Sequence, residues 1–507
     1  MKSRSYLMLL AEAALLVFFP AAWKTVEAQQ KKYRMTTDIP ASITTPIAVE
    51  TSLGTFRFFD GFPDDATVKT VYDNLDFQRG VQAFLTALPA ASMHATREGY
   101  RTFGPDNQTV LISESFLDSR TLYLVANSET IYLTVWANTT DGPLVIDAPP
   151  DMLGFIDDFW CRYVIDIGRA GPDKGKGGKY LLLPPDYNGS VPEGYYVAHS
   201  STFGNFLLLR GFIYNGDIKA SVDNMKKHFR IYPLAQAENP PEMNFINMSG
   251  KYFSCIPAND VSFFDDVNNV VQEEPLESVD PETRGLLASI GIRKGNTFSP
   301  DSRMKGILTD AAAVGNATAR SIFFNTRDRG AYLYNDSWWK VAFWGNDYNF
   351  SPGGVLDLDA RTWVFYGGTG ISPAMMVKMV GVGSQYAVSD HDATGQYLDG
   401  AKNYRLHLPP DIPAKDFWSV IVYDPQTRSM LQTDQQFPGT GSQKNEITIN
   451  PDNSVDVFFG PLAPTGYENN WIQTIPGKGW FVMLRLYGPL ESWFDKTWRP
   501  GEIEWIP

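Results

Sequence analysis

The sequence predicts a mainly β protein in which two antiparallel β-sandwiches are joined by a helical connector. Three observations carry that prediction. Residues 404–498 hold short apolar runs between Pro, Gly, Asn and Asp turns, and in 404–408 Tyr404, Leu406 and Leu408 alternate with Arg405 and His407, the period of a half-buried strand. Residues 110–212 repeat the pattern. Between these stretches, 259–319 changes to helix starts: Asp280 precedes Pro281 and Ser299 precedes Pro300, so a capping side chain stands before proline at the first helical position.

The 507 residues exceed what one hydrophobic core usually organises, and 43% of them are hydrophobic, enough to fill more than one. Taken in order, Lys2 and Arg4 precede an apolar stretch whose uninterrupted part, 13–23, is too short to span a bilayer comfortably, and Val26-Glu27-Ala28 offers small residues at a cleavage site before Gln29. This predicts a signal peptide over 1–28, a secreted or periplasmic protein, and no membrane attachment after cleavage. Residues 29–63 read as an N-terminal arm. A helix follows over 64–88, capped by Asp64 or Asp65, with Val68, Val71, Tyr72, Leu75, Phe77, Val81, Phe84 and Leu85 at three- and four-residue spacing.

Strands are expected at 122–125, 130–136, 144–146, 163–167, 180–183, 195–198 and 206–212, separated by turn residues suited to an antiparallel meander. A helix over 217–229, with Ile218, Val222, Met225 and Phe229 on one stripe and Lys226, Lys227 and His228 in its last turn, closes that region at about residue 235. The helical connector occupies 236–320, with Phe263, Phe264, Val267, Val270 and Val271 on the face of its first helix. The second sandwich occupies 321–507, with strands expected from about 321 onward, among them 417–423, 455–459 and 480–487.

Several long motifs carry a resemblance. PAMMVKMVGVGSQY, LPPDIPAKDFWSV, YDPQTRSMLQTD, FGPLAPTGYENNWIQT and RLYGPLESWFDKTWRPGEIEW resemble the C-terminal region of the DUF1254/DUF1214 proteins. LGFIDDFWCRYVIDIGRAGPDKGKGGKYLLLPPDYNG and the Arg210-Gly211 pair resemble the DUF1254 half, so the likeness runs from about residue 84 to the end. It implies a DUF1254-like helix and sandwich over 64–235, a DUF1214-like sandwich over 321–507 and jelly-roll-like strand arrangements in both. It implies no catalytic residue.

Composition narrows the partners. A formal charge of −14 argues against nucleic acid or an anionic lipid surface, which need clustered Lys and Arg. Cys161 and Cys255 stand alone, without a second cysteine or a histidine at ligand spacing, so no thiolate metal site is expected. No histidine stands in HxH or HExxH; His391, between Asp390 and Asp392, reads as part of an exposed turn. No cofactor motif is present. Seven sequons, at Asn107, Asn138, Asn188, Asn247, Asn316, Asn335 and Asn349, would accept glycans in a eukaryotic secretory pathway.

Candidate site residues follow from polar groups set in apolar runs, where an unpaired charge costs several kcal/mol and some partner must be supplied. Asp158, Trp160, Arg162 and Arg210 qualify in the first sandwich, and Arg361, Tyr366, Arg428 and Arg485 in the second. Each arginine has a neighbouring carboxylate that would neutralise it, among them Asp166, Asp359, Asp424 and Asp434. Asp158, Trp160 and Arg162 share one strand face if the strand continues through them. Lys174, Lys176 and Lys179, in a glycine-rich stretch without phosphate-loop spacing, form a second candidate for a small anion. Trp471, Trp480, Trp493 and Trp498, near Asn469, Asn470, Gln473, Asp495 and Arg499, suggest sugar stacking. Two function classes fit: a β-sandwich protein that binds a glycan or other small ligand or assembles with partners, a homo-oligomer included, and a hydrolase or lyase acting on a glycan or ester in a cleft between the sandwiches.

Overall fold

The computed structural model describes residues 33–345, 347–443 and 446–507, which belong to two compact units divided after Thr70. The expected leader, 1–28, lies outside the described residues. In the first unit the strands Ala48–Thr51, Gly54–Phe59 and Phe62–Pro63 form a small, largely exposed antiparallel sheet. The helix Asp65–Arg101 is capped by Asp64, which accepts from the Thr67 N–H at 2.8 Å. It continues well past residue 88, the expected end, because Ala87, Ala90 and Ala91 are fully buried and packing holds the backbone helical through Pro89.

The unit Val71–Pro507 contains four open sheets. A six-stranded sheet runs Asn244–Asn247, Thr109–Ile112, Ile131–Asn138, Gly204–Gly211, Met152–Asp158, Tyr163–Gly168, and a four-stranded one runs Tyr196–His199, Gly178–Leu183, Leu144–Ala148, Arg230–Pro233. Leu133, Val135 and Leu207 from the first meet Ile146, Leu182 and Ile231 from the second in one core. Consecutive strands 131–138 and 144–148 therefore belong to different sheets, and the expected meander is absent; alternate strands are needed on both sides of the core. Segment 122–125, expected as a strand, makes only an isolated bridge between Leu122 and Ser254. The helix Ile218–His228, capped by Asp217, adds Val222 and Met225 to this core.

The C-terminal region repeats the plan. A five-stranded sheet runs Lys340–Val341, Ser384–Ser389, Phe481–Pro489, Ala414–Tyr423, Gly439–Gly441, and a four-stranded one runs Trp471–Gln473, Val455–Gly460, Asn403–Leu408, Ile503–Ile506. Val420, Leu484, Leu406 and Val457 fill the space they share. Among the described strands of this unit three pairings are parallel, each at a sheet edge, and the other strand pairings are antiparallel.

Helices Phe263–Glu273, Pro281–Ser289 and Ser302–Phe324 occupy the interval between the two regions. Asp280 caps the second as the Asp-Pro spacing predicts; the third is capped by Asp301 rather than Ser299, leaving Pro300 ahead of the cap. Their apolar faces are interior: Phe263, Val267, Leu308 and Phe323 share a core with Phe155 and Phe206 of the six-stranded sheet and Tyr386 and Met483 of the five-stranded one. Strands do not resume at 321. The helix runs to Phe324, and Leu358–Gly367, also helical, is buried on nearly all sides. Trp363, Val364, Phe365, Tyr366 and Gly367 are buried in succession, so no 3.6-residue alternation of apolar and polar residues betrays it. The architecture is thus mainly β, with eight α-helices among the described residues.

Candidate functional site

A cavity of about 100 Å³ lies between the six-stranded and the five-stranded sheets. Tyr132, Phe155, Leu208 and Arg210 line it from the first, and Tyr386, Met483, Arg485 and Tyr487 from the second. Trp363, Val364 and the Gly367-Gly368-Thr369-Gly370 turn close one side. Most of the wall is apolar carbon. At about 100 Å³ the cavity has room for several waters or a small organic acid and not for an oligosaccharide.

Strand register places the charges. Arg210 sits across from Tyr132, and Arg485 across from Tyr386, so each guanidinium shares a sheet face with a phenol. Arg210 is 7% exposed and Arg485 3%. The Arg210 guanidinium lies 5.0 Å from the Tyr487 ring and 5.7 Å from that of Tyr132. Its Nε has no partner, and no carboxylate pairs with it among the described residues. Arg485 donates to the Tyr423 hydroxyl at 2.7 Å and to the Val125 carbonyl, and it too lacks a carboxylate. Burial opposes both charges, while the oxygens of Tyr487, Tyr132, Tyr386 and, for Arg485, Tyr423 favour them; the outcome is a guanidinium pKa raised in each case. Burial also raises Tyr423 and Tyr487, so these phenols stay neutral donors. Asn127 donates to the Tyr487 oxygen at 2.6 Å, which leaves the hydroxyl proton free to point elsewhere.

The 367–370 turn is held from the opposite sheet. The buried Asp157 carboxyl accepts from the Ile371 N–H at 2.7 Å, which sets Gly370 against the Phe155 ring. Gly370 has φ +85°, and a Cβ there would meet that ring at 2.5 Å, so only glycine fits. Beside it the Thr369 hydroxyl is buried on the cavity wall without a partner. Burial raises Asp157 well above the carboxylate range and lifts Asp166, on the adjacent strand, to about 7. These two acids are proton holders rather than counterions for the arginines.

The residues singled out from sequence fall into separate places. Arg210 and Arg485 meet at the cavity. Asp158 ends its strand and organises a tight turn: its carboxylate accepts from the Trp160 and Arg162 N–H groups at 2.8 and 2.9 Å and from Arg162 Nε at 2.7 Å. The three residues are therefore joined by a turn, with Cys161 at φ +53°, and not by strand alternation. Trp160, Arg162 and Arg361 line a different cleft. Arg361 and Tyr366 stand on the Leu358–Gly367 helix, not on strands; Arg428 packs over the Tyr366 ring at 4.2 Å and donates to the Tyr366 and Gln426 carbonyls. Asp359 pairs with Arg327 and Asp424 with Lys478, so neither neutralises the arginine its sequence position suggested.

In the glycine-rich loop Lys179 turns to Asp147 and Tyr232, and Lys174 and Lys176 are exposed; Asp173 fills the loop, accepting from Gly168, Gly177 and Tyr180. His391 is 7% exposed, not an exposed turn residue, because Trp338 and Tyr397 sandwich its ring and Asp390 binds Nδ1 at 2.6 Å. Trp480, Trp493 and Trp498 are buried in the C-terminal core instead of forming a sugar platform. Both cysteines are buried and free. Sequence reasoning missed Tyr132, Thr369, Tyr386, Tyr423 and Tyr487. One signal was available: Arg485 and Tyr487 are two apart in a strand and so face the same way.

Residues 107–233 match the family model described as DUF1254, protein of unknown function, and residues 383–491 match DUF1214, protein of unknown function. No curated protein matches the sequence. Among solved structures, the VPA0106 protein from Vibrio parahaemolyticus is similar at 17% identity and a TM-score of 0.53, over 86% of this chain and 100% of that one. An uncharacterized protein from Burkholderia cenocepacia aligns at 11% identity and a TM-score of 0.36, over 86% and 95%.

Proposed function

We propose that this chain, a DUF1254/DUF1214 domain-containing protein, binds a small organic anion with an apolar body in the cavity between its two sheets. The observation that supports this reading is the pair Arg210 and Arg485: two buried cations on one cavity, neither neutralised by a carboxylate among the described residues. A ligand carboxylate would give both guanidiniums a charge-assisted hydrogen-bond partner, while Tyr132, Tyr386 and Thr369 offer further hydrogen bonds. The apolar wall of Phe155, Leu208, Met375 and Met483 suits an alkyl or aryl remainder better than a glycan's hydroxyls. Binding is preferred to hydrolysis because the titratable groups on the wall are arginines and tyrosines rather than a nucleophile beside a base.

The reading includes two jelly-roll-like sandwiches as the scaffold and export through the leader over 1–28; the intact mass of the secreted protein tests the latter. The binding test is a thermal-shift and calorimetric screen of short alkyl and aryl carboxylates, each beside its neutral amide. Carboxylates are expected to raise Tm and the amides to have no effect, with the response lost in Arg485→Met. An equal response to acids and amides would sink the proposal, and turnover of an ester in the same screen would replace binding by hydrolysis.

A further inference from the structure

The cleft that receives Trp160 and Arg361 is separate from the cavity, and its wall shares no residue with it. It holds about 250 Å³ and is bounded by Trp160 and Arg162 of the 158–162 turn, by Asp280, by Tyr348 and Phe350, and by Arg361 and Phe365 of the Leu358–Gly367 helix. Two residues on its wall carry buried donor atoms that have no partner. Trp160 is 6% exposed, and its Nε1 is buried without a partner. The Arg361 side chain makes no hydrogen bond or ion pair with the described residues, and its Nε is likewise buried without a partner.

The neighbouring charges do not supply what is missing. Asp359 pairs with Arg327, and the Asp280 carboxylate is occupied by the Glu282 and Thr283 N–H groups and the Thr283 hydroxyl. Arg162 is already bound by Asp158, at 2.6 Å. Burial pushes the Arg361 guanidinium down from its ordinary value, and Asp280 only partly offsets it.

We infer that this cleft is a second binding site, for a singly charged aromatic carboxylate whose oxygens accept from Arg361 and from the Trp160 indole N–H. Asp280 on the wall disfavours a multiply charged group, and the Trp160, Tyr348, Phe350 and Phe365 rings suit a flat body. Because Arg361 and Phe365 face the cleft whereas Trp363, Val364 and Gly367 face the cavity, one short helix separates the two sites.

The test follows the Trp160 indole N–H resonance in protein labelled with ¹⁵N-tryptophan, identified by its loss in Trp160→Phe. Benzoate is expected to shift it downfield to saturation and benzamide to leave it in place. Arg361→Met, which removes an unpaired charge and so should keep its fold by circular dichroism, is expected to weaken the response at least about tenfold. Arg361→Lys keeps the charge and should retain part of the response. A resonance unmoved by benzoate, moved equally by benzamide, or moved as readily in Arg361→Met overturns the site. A larger response to inorganic phosphate than to benzoate overturns the carboxylate assignment. Because the readout sits at Trp160, failure of cavity binding at Arg485 leaves this test standing, and the reverse holds.

Discussion

Lys340 and Arg485 are buried cations in one five-stranded sheet, 1% and 3% exposed, yet they are stabilised in opposite ways. Lys340 has its anion built in: Asp390 lies 2.6 Å away, and the Phe324 carbonyl and His391 complete the group around that pair. Arg485 has phenols and a carbonyl, no carboxylate among the described residues, and a cavity beside it. A buried cation is evidence of a ligand only where the chain withholds the counterion, and only the second arrangement meets that condition.

The largest effect that would break this contrast is the removal of Asp390. Asp390→Asn leaves the Lys340 charge buried and uncompensated and is expected to cost about 3 to 5 kcal/mol in urea denaturation, whereas Arg485→Met forfeits hydrogen bonds to neutral groups and is expected to cost about 1 to 2. If Arg485→Met proved the costlier change, the distinction between a built-in and a withheld counterion would fail.

The next effect in size tests whether a hidden carboxylate serves the arginines. Burial lifts Asp166 from the ordinary 3.8 to about 7, and Glu274 from 4.5 to about 7. Between about pH 4 and pH 7 the folded protein keeps protons that the unfolded chain has released, so stability falls as pH rises through that window, by roughly 2 to 4 kcal/mol for one such group. Asp166→Asn should flatten part of the slope and leave the part due to Glu274. Were Asp166 a counterion, its pKa would be depressed and stability would instead rise with pH. The smallest effect sharpens the contrast: Arg210→Met removes a guanidinium whose Nε has no partner, so unfolding free energy should change by less than about 1 kcal/mol while carboxylate binding is lost.

What the sequence made legible follows from how local each signal is. Alternation in 404–408 and the Asp-Pro cap at 280 depend on neighbouring residues, and both are present as read. The Leu358–Gly367 helix was hidden because it is buried on nearly all sides, and it carries Arg361 and Tyr366 away from the sheet they were expected to occupy. For the site, an arginine in an apolar run announces a buried charge without naming its neighbours. Arg210 and Arg485 did meet, because the two sheets that carry them face each other across the cavity, whereas Trp160, on a turn, and Arg361, on a helix, converged elsewhere. The tyrosines went unnoticed for the same reason: Tyr132 and Tyr386 gain their role from cross-strand register, which no local pattern encodes.

The bond from Arg485 to the Val125 carbonyl joins residues 360 apart, and the one from Asp157 to Ile371 spans 214. During synthesis the N-terminal half therefore leaves the ribosome with Arg210 and the Asp157 latch uncovered, and its largest apolar face waits for strands not yet translated. The contact to Val125 can close only once Arg485, close to the end of the chain, has been translated. A chain truncated before residue 481 would lack Met483, Arg485 and Tyr487 and leave the cavity open on that side, so such partial translation products should be clients of chaperones and proteases rather than smaller functional forms.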